Sequence, residues 1–204
     1  MSSLLLLPFP ILRRTLEQIG YDVTNADKPE KRPTSNFRRI VLTGFMGSGK
    51  STVGPLVAQR LGWKFLDVDN VIEAEAGCTI SQLFARDGEG AFREHEYATI
   101  ARLAGGESLV LALGGGAIER AETRELLIGS KETLFVHLEV MLATTLNRCR
   151  GTEHTRPVLA DQANLARRYE RRMPLYRTAH VSIRVDDLTP DGVANAVLAA
   201  AGLA

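Results

Sequence analysis

RIVLTGFMGSGKSTVG (residues 39–54) joins a short apolar run, Ile40-Val41-Leu42, to a glycine-rich turn and then to a stretch with helical spacing. Within it, Gly44-Phe45-Met46-Gly47-Ser48-Gly49-Lys50-Ser51 fits the pattern G-x-x-x-x-G-K-[ST] in the strand–loop–helix context that the pattern needs. Glycines let successive backbone N–H groups turn inward around phosphate oxygens, and the start of the following helix adds partial positive charge. Lys50 is placed to reach the terminal phosphates, and the Ser51 hydroxyl is a hard oxygen ligand for Mg²⁺. The motif points to nucleotide binding. It suits a switch GTPase or a motor ATPase as well as a small-molecule kinase.

Outward from the loop, short apolar runs alternate with helical patterns, the mark of a parallel sheet covered by helices in an α/β domain. The strand candidates are Arg39–Thr43, Phe65–Val68, Leu109–Leu113, Thr133–Leu138 and Val181–Val185, with five to seven helices between and after them. Val53, Leu56, Val57 and Leu61 line one face of the first helix, and Gly62 is placed to end it. Pro55 is awkward there and tolerable only near the helix start. Thr79 with Gln82 predicts a capping box.

Several clusters point to an acceptor site. Asp67 and Asp69 end the second strand run; read as strand residues i and i+2, both carboxylates project from the edge of the sheet where ligands bind. Asp67 is assigned to the metal and Asp69 to the acceptor hydroxyl and its proton. Two solvated acids are the plainer alternative. Arg93 lies on a helix whose apolar face is Phe92, Ile100 and Leu103, and could grip a carboxylate bidentately, although a helix arginine is most often solvated. Gly114-Gly115-Gly116 follows the third strand, where glycines allow close backbone approach to a ligand. Arg148 to Arg177 holds eight arginines against three acids, Glu153, Asp161 and Glu170, which reads as a solvated face or as a lid over triphosphate.

Seven strings in this order resemble the shikimate kinases, members of the nucleoside-monophosphate-kinase-like group of P-loop NTPases. They are GFMGSGKSTVG (44–54), FLDVD (65–69), IEAEAGCTISQLF (72–84), GEGAFREHE (88–96), GGGA (114–117), RPVL (156–159) and RRMPLYRTA (171–179). The resemblance implies a five-stranded parallel sheet of order 2-3-1-4-5 flanked by helices, an acceptor-binding region at about 69–104 and a mobile lid at about 148–162. It implies transfer of phosphate from ATP, with Mg²⁺, to the 3-hydroxyl of shikimate. Asp69, Lys50 and Arg156 are then the catalytic candidates, and Asp69, Arg93, Gly115, Gly116 and Arg172 hold shikimate. Gly47, Ser48, Gly49, Lys50, Ser51, Thr52 and Arg156 bind ATP, with Ser51 and Asp67 at the metal. The family often carries an arginine seven residues before the lid arginine, stacked on adenine; that position is Cys149, between Arg148 and Arg150.

Composition narrows the field. The chain has 204 residues, net charge +1, 45% hydrophobic and 24% charged residues, which suits one globular domain and argues against a generally cationic nucleic-acid or membrane binder. Cys78 and Cys149 are too few for a disulfide framework or zinc cluster. Residues 1–37 read as an extension with a polar, proline-bearing linker at 21–37, and the domain as 38–204. The apolar start, Leu4 to Leu12, lacks the basic lead and small-residue cleavage pattern of a signal sequence. A cytoplasmic monomer whose partners are shikimate and ATP, with no nucleic acid and no membrane, is the expectation. A kinase of another small acid, such as gluconate, and a non-catalytic ligand sensor are the competing readings.

Overall fold

In the computed structural model, described here for residues 36–150 and 161–203, Ile40, Val41 and Leu42 are fully buried and form the middle of strand β1, Arg39–Thr43. A strand with no exposed face belongs at the centre of a parallel sheet. The remaining strands are β2 (Lys64–Asp67), β3 (Leu109–Ala112), β4 (Thr133–Glu139) and β5 (Val181–Arg184). All pairings are parallel and the order is β2-β3-β1-β4-β5, as the resemblance implied. Arg39, 4% exposed, pins the lower edge: its guanidinium donates to Thr133 Oγ1 (2.8 Å), the Gly106 carbonyl (2.7 Å) and Glu132 (2.9 Å). A buried arginine is tolerable only when its donors are met in this way.

Among the described residues the helices are α1 (Lys50–Leu61), α2 (Val68–Ala76), α3 (Ile80–Leu103), α4 (Ala121–Gly129), α5 (Leu142–Arg148), α6 (Gln162–Tyr176) and α7 (Pro190–Ala200), with a 3₁₀ turn at Ala117–Glu119. Val53 and Val57 bury the inner face of α1, which packs on the sheet and on α7. Gly62 ends α1 in the left-handed conformation (φ 65°). Pro55 sits six residues into α1, further in than expected. Both Pro55 and Ser51, whose carbonyl loses its donor, face solvent, so water can take the vacant bond. The capping box forms: Thr79 accepts from the Gln82 N–H while Gln82 Oε1 accepts from the Thr79 N–H. α3 bends at Gly88 (φ 81°, ψ 169°), the break that separates its first two turns from the half carrying Arg93.

One boundary differs from expectation with consequences for the site. β2 stops at Asp67 rather than Val68, and Asp69 lies in the first turn of α2. Asp67 is the helix N-cap, its Oδ1 accepting from the Asp69 N–H (3.1 Å). The cap turns the chain after one strand residue fewer, so the i, i+2 strand geometry does not apply to this pair. No helix of the described residues is long and apolar enough to cross a membrane. Arg156, most of the proposed lid and residues 1–35 lie outside the described residues.

Candidate active site

The loop after β1 reaches α1 through Gly49, whose φ of 94° is a conformation that side chains with a Cβ rarely adopt. Residues 47–53 line one cleft of about 450 Å³ together with Arg148, Cys149, Val185, Leu188, Pro190 and Val193. Gly47, Ser48, Gly49, Lys50, Ser51 and Thr52 therefore all border the same space. Lys50 Nζ donates to the Gly44 carbonyl at 2.7 Å, inside the curl of the loop. Arg148 crosses the rim, donating to the carbonyls of Gly47 (3.1 Å) and Val185 (3.0 Å). Of the two arginines flanking Cys149, Arg148 is thus the one on the cleft, while Arg150 bonds Asn147 and Cys149 is buried.

A second cleft, about 230 Å³, lies on the other side of Lys50. Asp69, Arg93, Gly114, Gly115, Gly116 and Arg172 all line it. Four separate parts of the chain supply them: the start of α2, the second half of α3, the loop after β3, and α6. Gly114 and Gly116 let two of the site's side chains lie directly against the backbone. A Cβ on Gly114 would lie 2.6 Å from Asp69 Oδ1, and one on Gly116 2.6 Å from an Arg93 guanidinium nitrogen.

Asp67 faces the nucleotide side instead, accepting from the Ser51 hydroxyl at 2.9 Å through Oδ2. A hydroxyl and a carboxylate converging beside a phosphate loop form the sparse oxygen set that Mg²⁺ takes when phosphates and water complete its octahedron. The residues fit the ion.

The electrostatics separate the two aspartates. Burial, reinforced by the Asp67 carboxylate and opposed by Lys50, lifts the Asp69 carboxyl from 3.8 to about 6. A carboxyl poised near neutrality can accept a proton and release it again.

Further residues hold the site that the sequence reading did not single out. Glu96, 3% exposed, holds Arg93 at 2.7 Å; burial pushes its carboxyl up while Arg93 pulls it down. Glu96 lies one helical turn after Arg93, so an i, i+3 scan of the GEGAFREHE string finds it. Glu119, in the 3₁₀ turn, holds Arg172 at 2.5 Å and Arg171 at 3.1 Å. Its burial raises the Glu119 carboxyl, yet the two guanidiniums outweigh that and keep it below the usual range. Tyr176 donates to the Gly115 carbonyl at 2.6 Å, and burial keeps its phenol protonated. Behind it His137 stacks at 5.1 Å, held neutral because burial lowers it to about 4. Arg168 also lines the second cleft.

Known proteins carry the same plan. The sequence profile described as shikimate kinase matches residues 46–201. A shikimate kinase of Synechococcus sp. (strain CC9605) is 35% identical over 182 residues, covering 88% of this chain and 90% of that protein. One from Symbiobacterium thermophilum is 44% identical over 153 residues, 72% of this chain and 86% of its own length. Among solved structures, shikimate kinase from Acinetobacter baumannii in complex with shikimate superposes with a TM-score of 0.73 at 36% identity, covering 79% of this chain and 91% of the other. With the matched region spanning both clefts, the chain belongs to the shikimate kinase family.

Proposed function

We propose that the two clefts join ATP to shikimate across Lys50, and that the product is shikimate 3-phosphate. The single observation that carries this is that Lys50 lines both clefts, with Asp69 and a pair of arginines on its far side. A terminal phosphate held at Lys50 then borders a pocket with one acid for hydroxyls and two guanidiniums for a carboxylate.

In the transfer, the acceptor oxygen forms a bond to the γ-phosphorus as the bond from that phosphorus to the bridging oxygen breaks. The electron pair stays on ADP, and the hydroxyl proton passes to Asp69 Oδ. Arg93 and Arg172 fix the carboxylate and so aim the hydroxyl, while the loop amides and Lys50 stabilise charge on the phosphates. Ser51 and Asp67 would hold Mg²⁺, which supplies charge neutralisation between the phosphates. Arg148, Leu188 and Pro190 border the nucleotide cleft, and a guanidinium plane beside apolar side chains suits a base.

With Asp69 near 6, kcat/KM should rise with pH through about 6 as the carboxylate appears, because only the deprotonated acid can accept the proton. The decisive assay measures ADP release with shikimate, with gluconate and with no acceptor. Release with shikimate alone supports the reading; equal or greater release with gluconate, or release that needs no acceptor, removes it.

A further inference from the structure

Among the described residues, one arginine of the acceptor cleft meets no protein acid. Arg93 is engaged by Glu96 and Glu89, and Arg172 by Glu119. Arg168 lines the same cleft, is half-buried, and among the described residues makes no hydrogen bond or ion pair. Its guanidinium is partly withdrawn from water with no nitrogen sealed off, so an anion entering the cleft can take its donors.

Its position says which anion. Arg168 stands one turn before Arg172 on α6, on the same face and about 6 Å along the axis. The middle and the C-terminal end of that helix are fixed by different loops. Tyr176 is bonded to Gly115 of the glycine run, whereas Tyr169 packs edge-on against Phe45 of the nucleotide loop at 5.3 Å. Passing from Tyr176 through Arg172 to Arg168 therefore leads from the glycine run toward the nucleotide loop, whose Met46 also lines the cleft. Arg172 serves the carboxylate end, and Arg168 stands nearer the bond that is made.

Charge accounting agrees. The acceptor enters with one negative charge, which Arg93 and Arg172 meet with the donors left over from their bonds to Glu96, Glu89 and Glu119. Phosphorylation adds roughly another −1.5 to −2. The extra charge appears on the nucleotide-loop side of the cleft, where Arg168 is an arginine that no acid among the described residues engages.

We infer that Arg168 is a further substrate-contacting residue, binding the phosphoryl group as it arrives on the acceptor and retaining it in the product. This rests on the acceptor assignment above and deepens it. Arg168 contributes little to shikimate itself, more to the transition state, and most to shikimate 3-phosphate.

The test uses the full chain as wild type, Arg168→Gln and Arg168→Lys, titrated calorimetrically with shikimate and separately with shikimate 3-phosphate, with turnover measured alongside. Glutamine should weaken product binding about 10- to 100-fold, the worth of a charge-assisted hydrogen bond, with a fall in kcat. Shikimate affinity should scarcely move, and lysine should recover part of the loss. Equal weakening of both ligands would make Arg168 a third holder of the carboxylate and overturn the inference, as would unchanged product binding. A crystal structure of the wild type with product gives an answer independent of any variant: a guanidinium more than about 4 Å from every phosphoryl oxygen also overturns it. Wild-type protein that does not turn shikimate over defeats the acceptor assignment itself, and that arm reads out before any variant is made.

Discussion

Replacing Asp69 by Asn should make the protein more stable at neutral pH while nearly abolishing transfer. The carboxyl titrates at about 6 in the fold against 3.8 when exposed, a difference of about two units, or roughly 3 kcal/mol at about 1.4 kcal/mol per unit. Because the folded value is raised, the penalty is present in full above about pH 6, where the buried group must carry its charge. It fades as pH falls toward 4, where the proton is bound in folded and unfolded chains alike. Asn carries no charge at any pH, so the variant should gain about 3 kcal/mol at pH 8, roughly 6–12 °C in Tm, and converge on the wild type near pH 4. Urea denaturation at several pH values reads the gain, and the ADP assay reads a loss of about 10²- to 10⁴-fold in kcat. Equal stabilities at pH 8 would refute the claim that burial strains this charge. A gain of the same size at pH 4 and pH 8 would assign it to packing instead.

Arg172→Ala should raise the KM for shikimate about 10- to 100-fold with the KM for ATP little changed; a rise confined to ATP contradicts its placement in the acceptor cleft. Gly116→Ala should act similarly without unfolding the chain, since its methyl would meet the flexible end of Arg93 rather than backbone, and unaltered acceptor affinity would show that Arg93 can give way at no cost. Glu119→Gln releases both Arg171 and Arg172 from their acid, so acceptor binding should become more sensitive to salt; identical salt slopes for variant and wild type would mean that Glu119 does not set the position of Arg172.

The nucleotide side was legible because its signal is local: seven or eight consecutive residues contain the turn, the lysine and the helix start. The sheet order followed from the resemblance, while the strand positions came from apolar runs that only a doubly covered sheet can bury. The aspartates show where local reading stops. Asp67 and Asp69 look like one strand face until the Asp67 side chain caps α2, and nothing in the dipeptide spacing reveals that a hydrogen bond to the Asp69 N–H outcompetes one more strand residue. Glu119 and Arg172 lie 53 residues apart, and no periodicity links them. Arg168 was visible only as one of eight arginines; its four-residue step from Arg172 places it on the cleft once Arg172 is placed there. Arg148 beside Cys149 is a register question that only the fold answers, since helix phase at the end of α5 decides which residue turns inward.

The order of the strands has a consequence for how the molecule breathes. β1 lies at the centre, paired on both sides and wholly buried, and it carries the nucleotide loop. β2 is an edge strand bonded only to β3, with Lys64 exposed and the other residues half-covered, and it leads directly into the first turn of α2, which carries Asp69. Amide groups of an edge strand exchange through smaller openings than those of a central one. As temperature or denaturant rises, the segment bearing the acid should loosen before the cradle beneath the triphosphate, so a partly opened molecule keeps its grip on ATP while having lost the means to hand a phosphate on.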